Sequence, residues 1–439
     1  MTILEHPQAQ ELLEAATLTH EAVGACASRL TEFLARYLPL FARSEQRAHA
    51  ATVIQGKLSG LERKTSEPVA TQAGIPRKPI QSFVGWGAWD DEAVTAEIRA
   101  HVRREWADPD GVLVIDPSSF PKKGTESRGV QRQWCGRLGK VENCQLGVFL
   151  FYACARGHAP LDRRLFLPKE WADDPDRRGK THVPREVAYQ ERWQIALDMI
   201  RRAKGLPHRW VAADSEFGRV AAFRAELRGM NERYLLDVPE NVLVRDLDEE
   251  VEQPARRHGS PKKAPWRSVK QWAQSQPAGR WQRFTVRDGE KGPLQVDAVT
   301  ARVQTMQDDR VGPEERLVVT RSAAAPSEVW YRLAAPQEIQ LKEAVRAGSE
   351  RHRAEQVLQE GKGEVGLGQY EVRSWVGWHH HVTLSLLALW FLSLERVRVG
   401  GGKGGGDCQP AAAGVHAPAA AAGARPRADS RRGQPRAAA

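Results

Sequence analysis

The sequence lacks the features of disulfide-stabilised, zinc-binding and membrane-spanning proteins. Its 439 residues include five cysteines, an odd number with no CxxC pair, a pattern typical of neither a disulfide framework nor a zinc site. Its most apolar run, VTLSLLALWFLSL at residues 382–394, is too short to cross a bilayer and predicts a buried helix. The N-terminal residues contain early acids and no long apolar core, so we expect no signal peptide. These absences favour a cytoplasmic protein with reduced thiols.

Positive charge is what the sequence has in excess. Lys and Arg number 65 against 55 Asp and Glu, a formal net charge of +10. Such a balance favours a polyanionic partner, nucleic acid first, over a generic basic surface. The segment 399–439 is rich in Gly, Ala, Pro and Arg without apolar periodicity, so we expect a disordered basic tail. Its abrupt start suggests either a natural DNA-binding tail or an out-of-frame reading of the native C-terminus.

The first part of the chain, residues 1–109, has apolar residues at helical spacing and predicts a helical, DNA-binding domain. Three residues of EPVATQAGIPRKPIQSFVGW match the small, glycine and apolar positions of a helix-turn-helix: Ala70, Gly74 and Ile80. Arg77 is then available to contact DNA. A recognition helix tolerates Pro76 and Pro79 only in its first turn, so an ordinary helical hairpin is the alternative.

From Gly111 onward the pattern changes to apolar strands that alternate with helices. Residues 110–240 therefore predict an α/β core with a mixed sheet. Residues 241–340 consist of β-rich pieces divided by Gly, Pro and Asp, which indicates a β-rich insertion. Residues 341–398 return to helical periodicity and predict the C-terminal helices.

Two of the apolar strands run directly into an aspartate. Asp116 follows VLVI and Asp214 follows WVAA. If these strands are neighbours in one sheet, their carboxylates can share a cation, and carboxylates with open water positions suit Mg²⁺. Two ions about 3.5–4 Å apart would support phosphoryl transfer. The alternative is that each is an ordinary solvated acid at a strand end.

A site of this kind needs a third acid, and the helix that starts at Ser349 supplies one. At about 100° per residue, Arg351, Glu355 and Lys362 lie on one face of that helix. The alternative is a surface ion pair between Arg351 and Glu355, which contributes about 0.3–0.5 kcal/mol.

These motifs together resemble those of DDE-superfamily insertion-sequence transposases with a Y-R-E-K signature. GSERHRAEQVLQEGK matches that signature at Arg351, Glu355 and Lys362, whereas Gly348 stands at the tyrosine position. DPSSFPKKGTESRGVQRQWCGRLGKVENCQLGVFL resembles the first acidic motif, and ADSEFG resembles the second. The resemblance covers roughly residues 40–395.

The resemblance implies an RNase H-like core with the β-rich insertion before the last catalytic helix. It also implies that Asp116, Asp214 and Glu355 form a catalytic and metal-binding triad. The cofactor would be two Mg²⁺ ions, for which Mn²⁺ can substitute.

The resemblance further implies residues that bind DNA. Arg351 and Lys362 of the signature would hold DNA near the cut. The PKKG turn after the first acid makes Lys122 and Lys123 candidates for phosphate contacts, with solvated charge as the alternative for each. The partners would be double-stranded DNA, both element ends and target, and a second copy in a homodimer or higher synaptic complex, with no membrane.

The function that the resemblance implies is that of a bacterial, cytoplasmic, nucleoid-associated transposase. It would bind the inverted-repeat ends of its insertion sequence, cleave there and join the freed 3′ ends to target DNA. Two alternatives stay open. One is a catalytically impaired DNA-binding regulator, a consequence of the altered C-terminus, and the other is a host nuclease on the same core.

Overall fold

The computed structural model of the chain describes residues 20–251, 262–289, 292–336 and 338–399. The predicted basic tail lies outside these ranges except for its first residue, and so do residues 1–19 of the predicted N-terminal domain.

The N-terminal part is helical, as the spacing of its apolar residues predicts. Its helices are α1 (His20–Tyr37), α2 (Ser44–Leu58), α3 (Ser66–Gln72), α4 (Arg77–Trp86) and α5 (Asp91–Trp106). In the predicted helix-turn-helix segment, α3 and α4 form the helix pair, and Gly74 lies in the turn between them with a φ of 66°. Pro76 precedes α4 and Pro79 lies in its first turn, where an N–H has no intrahelical acceptor. The prolines therefore begin this helix and do not break it.

A mixed sheet lies at the centre of the molecule and confirms the predicted α/β class. Its first strands are β1 (Val112–Pro121), β2 (Gln131–Cys135), β3 (Lys140–Cys154), β4 (Gly157–Leu165), β5 (Trp210–Ala213) and β6 (Tyr234–Asp237). Strands β1, β5 and β6 run parallel, while β3 is antiparallel to β1 and pairs with β2 and β4 on its other edge. The order β4-β3-β1-β5-β6 is that of an RNase H-like core.

Short helices follow the strands of this core. They are α6 (Lys169–Ala172), α7 (Pro175–Thr181), α8 (Arg192–Arg202), α9 (Ser215–Gly218) and α10 (Ala221–Gly229). Two of them have an aspartate as the N-cap residue: the side chains of Asp174 and Asp214 accept hydrogen bonds from backbone N–H groups of α7 and α9, respectively.

The predicted β-rich insertion extends the same sheet. Its elements are β7 (Leu243–Asp246), β8 (Arg267–Ser268), α11 (Val269–Gln274), β9 (Gln282–Gly289), β10 (Gly292–Gln307), β11 (Arg310–Ser322) and β12 (Val329–Ala335). Strand β12 pairs antiparallel with β6 and so joins the insertion to the edge of the core sheet. A small apolar cluster that includes the buried side chain of Trp272 stabilises the insertion locally.

Two long helices complete the described chain, α12 (Leu341–Gly363) and α13 (Trp375–Val399). Helix α13 contains the run 382–394 and is buried, as predicted, against β4 and the N-terminal helices. Its His380 side chain lies within hydrogen-bond distance of the carbonyl oxygens of Val84 (3.2 Å) and Trp89 (3.1 Å). In the described part of the chain no helix is long and apolar enough to cross a membrane.

One apolar core connects the N-terminal helices, the sheet and α13. It includes the buried side chains of Phe41, Ile98, Val114 and Trp390. Because these regions share a core, the boundaries proposed at residues 109, 240, 340 and 398 stay predictions about the organisation of the chain.

Candidate active site

Parallel pairing of β1 with β5 brings the first two predicted acids side by side. The register places Ile115 opposite Ala213, so Asp116 and Asp214 are the next residues along two neighbouring strands. Side chains at the same position of adjacent parallel strands are direct neighbours, which is the arrangement that two strand-end acids were expected to adopt.

The expectation that the first strand ends at Asp116 is wrong. Strand β1 continues to Pro121 through antiparallel pairing with β3, whereas its pairing with β5 ends at Ile115. Beyond that point β1 is open on the side of β5. A residue such as Pro117, which has no N–H to donate, is tolerated on an open edge. Asp116 therefore lies within β1, at the point where β1 stops pairing with β5 and continues to pair only with β3.

Burial and mutual repulsion make the two aspartates costly to ionise. Burial raises the pKa of Asp116 well above its usual range, and the negative charge of Asp214 raises it further. Burial also raises the pKa of Asp214, although Arg351 and the backbone N–H groups at the start of α9 oppose this. One of these groups, the N–H of Glu216, donates to the Asp214 carboxylate at 2.9 Å.

Helix α12 packs against β1 and β5 and carries the third predicted acid. The Glu355 side chain is 41% exposed and its Oε1 lies 3.0 Å from Nη1 of Arg351. The predicted ion pair between these residues is thus present. Glu355 also acts on Asp116, since its charge contributes to the raised pKa of that carboxyl. The charges of Asp214 and Glu355 thus both act on Asp116.

Arg351 lies among these acids and is more buried than Glu355. Its side chain is 14% exposed, and its Nε lies 2.6 Å from Oδ2 of Asp237. Burial alone would lower the pKa of Arg351, but four carboxylates outweigh burial and raise it: Asp237, Glu355, Asp116 and Asp214. The Arg351 guanidinium is therefore the positive charge that these four carboxylates share.

Asp237 is a residue of the site that the sequence analysis missed. It ends β6, and the register of β5 with β6 places Ala213 opposite Leu236, so Asp237 is the direct neighbour of Asp214. The signal was present in the sequence, because YLLD is a third apolar strand that ends in an acid.

Asp237 also lies 2.7 Å, through Oδ1, from Nε of the buried Arg332. This contact is close but does not have the alignment of a hydrogen bond. A second guanidinium donor of Arg332, Nη1, donates to Oγ1 of Thr320 at 2.8 Å. One carboxylate thus holds two arginines beside the site.

Two glycines allow this close packing. A Cβ on Gly218, the glycine of ADSEFG, would come within 1.9 Å of the backbone oxygen of Asp237, so only glycine lets α9 approach β6. A Cβ on Gly348 would lie 3.0 Å from Cζ and Nε of Arg332. At the position where the signature has tyrosine, the space beside Gly348 is therefore occupied by the side chain of Arg332.

The donor set fits a magnesium-type ion in its chemistry, because it consists of carboxylate oxygens, which are the ligands that this ion prefers. In the structure the positive charge of Arg351 lies among these carboxylates. Within the described ranges, however, no three His, Cys, Asp or Glu side chains are gathered closely enough to hold a metal ion. Asp116 and Asp214 are side by side on neighbouring strands, and Glu355 forms an ion pair with Arg351.

Two of the predicted DNA-binding lysines are partly buried, and one of them, Lys362, lies close enough to Asp116 to act on its pKa. Lys362 lies over the Phe120 ring at 5.5 Å, and burial, followed by the charge of Arg137, lowers its pKa. Lys122 donates to the carbonyl oxygen of Tyr370 at 3.1 Å and lies 3.5 Å from the centre of that ring. Burial lowers the pKa of Lys122 to about 8.

The other two predicted DNA-binding residues are exposed. Lys123 follows β1 on the surface. Arg77, at the start of α4, pairs with Glu67 at 2.9 Å. The main packing partners of α4 are α2, α3 and α13, so the structure does not bring Arg77 together with the acids.

The strand order, with Asp116 and Asp214 side by side on β1 and after β5, is that of the RNase H-like class of fold. Residues 36–293, more than half of the chain, match the family model described as DDE superfamily endonuclease, and the chain belongs to this family. The matched span includes Asp116 and Asp214 and ends before Glu355.

The chain is also similar to a curated protein. The chain is 24% identical over 196 residues to the probable transposase for insertion sequence element IS701 of Microchaete diplosiphon. The match covers 44% of this chain and 49% of that protein, so the chain spans about half the length of the relative.

Proposed function

We propose that the protein is a transposase that binds the inverted-repeat ends of an insertion sequence and catalyses Mg²⁺-dependent cleavage and strand transfer. The observation that carries the proposal is the pairing of β1 with β5, which sets Asp116 beside Asp214 under the helix that carries Glu355. Membership of the DDE endonuclease family and the likeness to a probable transposase support it.

In this proposal Asp116, Asp214 and Glu355 hold the metal ions. When bound, such ions activate the attacking oxygen and stabilise the leaving oxygen of an in-line displacement. Two strands and one helix contribute the acids, so the arrangement is rigid on the strand side and adjustable at the exposed Glu355. Mn²⁺ offers the same ligand preferences and is expected to substitute.

Arg351 has a separate role in the proposal. Asp237 fixes its guanidinium at the edge of the acidic group, and an arginine held in this way presents its free N–H groups to a phosphate oxygen of DNA near the cut. Lys362, on the same helix as Arg351, interacts with Asp116 of β1 and adds positive charge on that side. Lys122, Lys123 and Arg77 would contact the phosphate backbone further away.

The partners in this proposal are double-stranded DNA and further copies of the chain. Two element ends must be cut and joined together, so we propose a homodimer or a higher synaptic complex acting on the bacterial nucleoid. A net charge of +10 is consistent with strong attraction to DNA.

The test is a cleavage assay on element-end DNA with Mg²⁺ or Mn²⁺, accompanied by a binding assay on the same DNA. Asp116→Asn, Asp214→Asn and Glu355→Gln are expected to abolish cleavage while end binding stays close to that of the parent protein. Retained metal-dependent nicking by one variant removes that residue from the triad. Glu360→Gln, on another face of α12, serves as the matched control and should cleave normally.

The same assay separates the alternatives. A parent protein that binds ends without cutting would be the DNA-binding regulator. One that cuts DNA without preference for ends and without strand joining would be a nuclease of the same fold.

A further inference from the structure

The hairpin formed by β2 and β3, residues 131–143, exposes an aromatic ring at the edge of the sheet. Strand β2 is the edge strand, and its Trp134 lies opposite Val141 on β3. Both side chains are exposed, Trp134 at 61% and Val141 at 51%, and Leu138 in the connecting turn is 45% exposed. Burying a tryptophan is strongly favourable, so a ring left this open indicates a surface that something else covers.

Positive charge surrounds this ring. Arg132 is on the same strand as Trp134, two residues before it and therefore on the same face, and Arg137 and Lys140 flank the turn. Lys140 pairs with Glu142 at 3.3 Å. In the described part of the chain the guanidinium groups of Arg132 and Arg137 have no acidic partner within ion-pair distance. The surface is therefore apolar in its middle and cationic around its rim.

The hairpin is anchored beside the acidic group. The backbone N–H of Arg137 donates to Oγ of Ser119 at 3.3 Å, and Ser119 lies on β1 three residues after Asp116. The charge of Arg137 also lowers the pKa of Lys362, a residue that responds in turn to Asp116. A strand of DNA lying over the acids would thus reach the turn of the hairpin.

We propose that this hairpin binds unpaired DNA next to the cut, with Trp134 stacked on a base and Arg132 and Arg137 on the flanking phosphates. The inference rests on the proposed function, since it places the DNA strand at the acids. An exposed aromatic ring surrounded by cations is the arrangement by which proteins hold single strands. A second protein chain is the less suitable occupant, because unpaired charges along an edge strand oppose strand pairing between copies.

The experiment compares two DNA probes: a blunt duplex, and the same duplex with a short unpaired 3′ overhang that carries a fluorescent adenine analogue. The parent protein should bind the overhang more tightly than the blunt end and quench the analogue. Trp134→Ala should lose about tenfold in affinity for the overhang and lose the quenching, with blunt-duplex binding unchanged. Trp134→Phe should retain both, and Tyr189→Ala, another exposed aromatic residue, should behave as the parent.

Three outcomes would overturn the inference. In one, Trp134→Ala binds both probes as the parent does. In another, it weakens both probes equally, which means a general backbone contact. In the third, it changes the oligomeric state measured by light scattering, which means a protein interface. Cleavage of end DNA by the parent is measured in parallel: if the parent neither binds nor cuts DNA, the proposed function fails, whereas if it cuts and Trp134→Ala matches it on both probes, only the hairpin inference fails.

Discussion

Each end of β6 adjoins a group of side chains that contains a buried acid, and the two groups differ in the partners of that acid. At the start of the strand, Tyr234 donates through its hydroxyl to Glu315, a fully buried residue of β11, at 2.6 Å. At its end, Asp237 adjoins Asp214 and, through it, Asp116. The first group connects the insertion to the core, and the second group belongs to the candidate active site.

The Glu315 carboxylate is satisfied on all sides. Arg224 of α10 donates to it at 3.0 Å, Arg228 at 3.4 Å and Thr305 of β10 at 3.4 Å, in addition to Tyr234. A buried charge with this many partners contributes to specificity of packing, and its removal leaves two arginines without their acid. This group has a structural role.

The acids of the candidate site are satisfied only in part. The described residues give the Asp116 carboxylate no hydrogen-bond donor, and two neighbouring acids raise the pKa of that carboxyl. Such an arrangement costs stability and is retained where a ligand or an ion completes it. The partners of a buried acid, more than its burial, therefore distinguish a structural acid from a functional one.

The largest effect on stability is expected for Glu315→Gln. Removing the charge leaves Arg224 and Arg228 buried or half-buried without an acid, which should lower the free energy of unfolding by about 3 kcal/mol. Urea denaturation measures the change, and Glu314→Gln, on the exposed neighbour, should shift the midpoint very little. Equal stability of Glu315→Gln and the parent would remove the structural role of this group.

Asp237→Asn should have the next largest effect. The quantity that changes here is cleavage activity. The variant keeps the shape of the side chain but loses the charge that holds Arg351, so we expect a loss of about 100-fold in end cleavage. A double-mutant cycle with Arg351→Ala provides the control, because two residues that act through one contact are not additive. Additive losses would show that Asp237 acts independently of Arg351.

A buried cation outside both groups offers a smaller test. Lys57 of α2 has no acid within reach in the described residues, and its Nζ donates to Oγ of Ser385 at 2.8 Å. Burial lowers its pKa to about 7, against a value near 10.5 for the unfolded chain. The folded protein therefore bears the full cost of the buried charge below about pH 7, and this cost fades as the pH rises towards 10.

Lys57→Met removes that cost. The variant should be more stable than the parent by about 1 kcal/mol or more near neutral pH, and the gain should shrink as the pH rises to about 9. Denaturation at several pH values measures the difference. A gain that is independent of pH would mean that the pKa of Lys57 is the same in the folded and the unfolded protein, which would contradict the effect of burial.

The smallest effect on stability is expected for Asp116→Asn in the absence of metal. This substitution removes a buried charge that Asp214 repels, so the free energy of unfolding should stay the same or rise by up to about 1 kcal/mol. The measurement is urea denaturation in the presence of a chelator, with Glu315→Gln measured in parallel. A loss as large as that of Glu315→Gln would contradict the distinction between the two groups.

Much of the candidate site could be predicted from local sequence. The apolar runs before Asp116 and Asp214 predicted neighbouring buried strands, and helical spacing placed Arg351 one turn from Glu355, where the structure shows an ion pair. The end of the first strand could not be predicted, because it depends on β3 continuing to pair after β5 has ended.

Sequence patterns could not predict contacts between distant parts of the chain. The contact of Arg332 with Gly348, where the signature has tyrosine, forms only when β12 packs against α12. The partial burial of Lys122 against Tyr370 also depends on a segment far along the chain. No periodicity encodes such pairs, since each depends on the packing of two elements that fold from separate regions.

Local apolar spacing and residue type were sufficient to predict an α/β core, most of its strands and helices, and three acids with the chemistry to bind a metal ion. Tertiary structure alone decided that Asp237 holds Arg351, that Glu315 is satisfied while Asp116 is not, and that Trp134 stays exposed. The burial of a side chain and its hydrogen-bond and ion-pair partners depend on how separate parts of the chain pack together. A buried acid has a structural or a functional role according to which hydrogen-bond donors the fold places beside it.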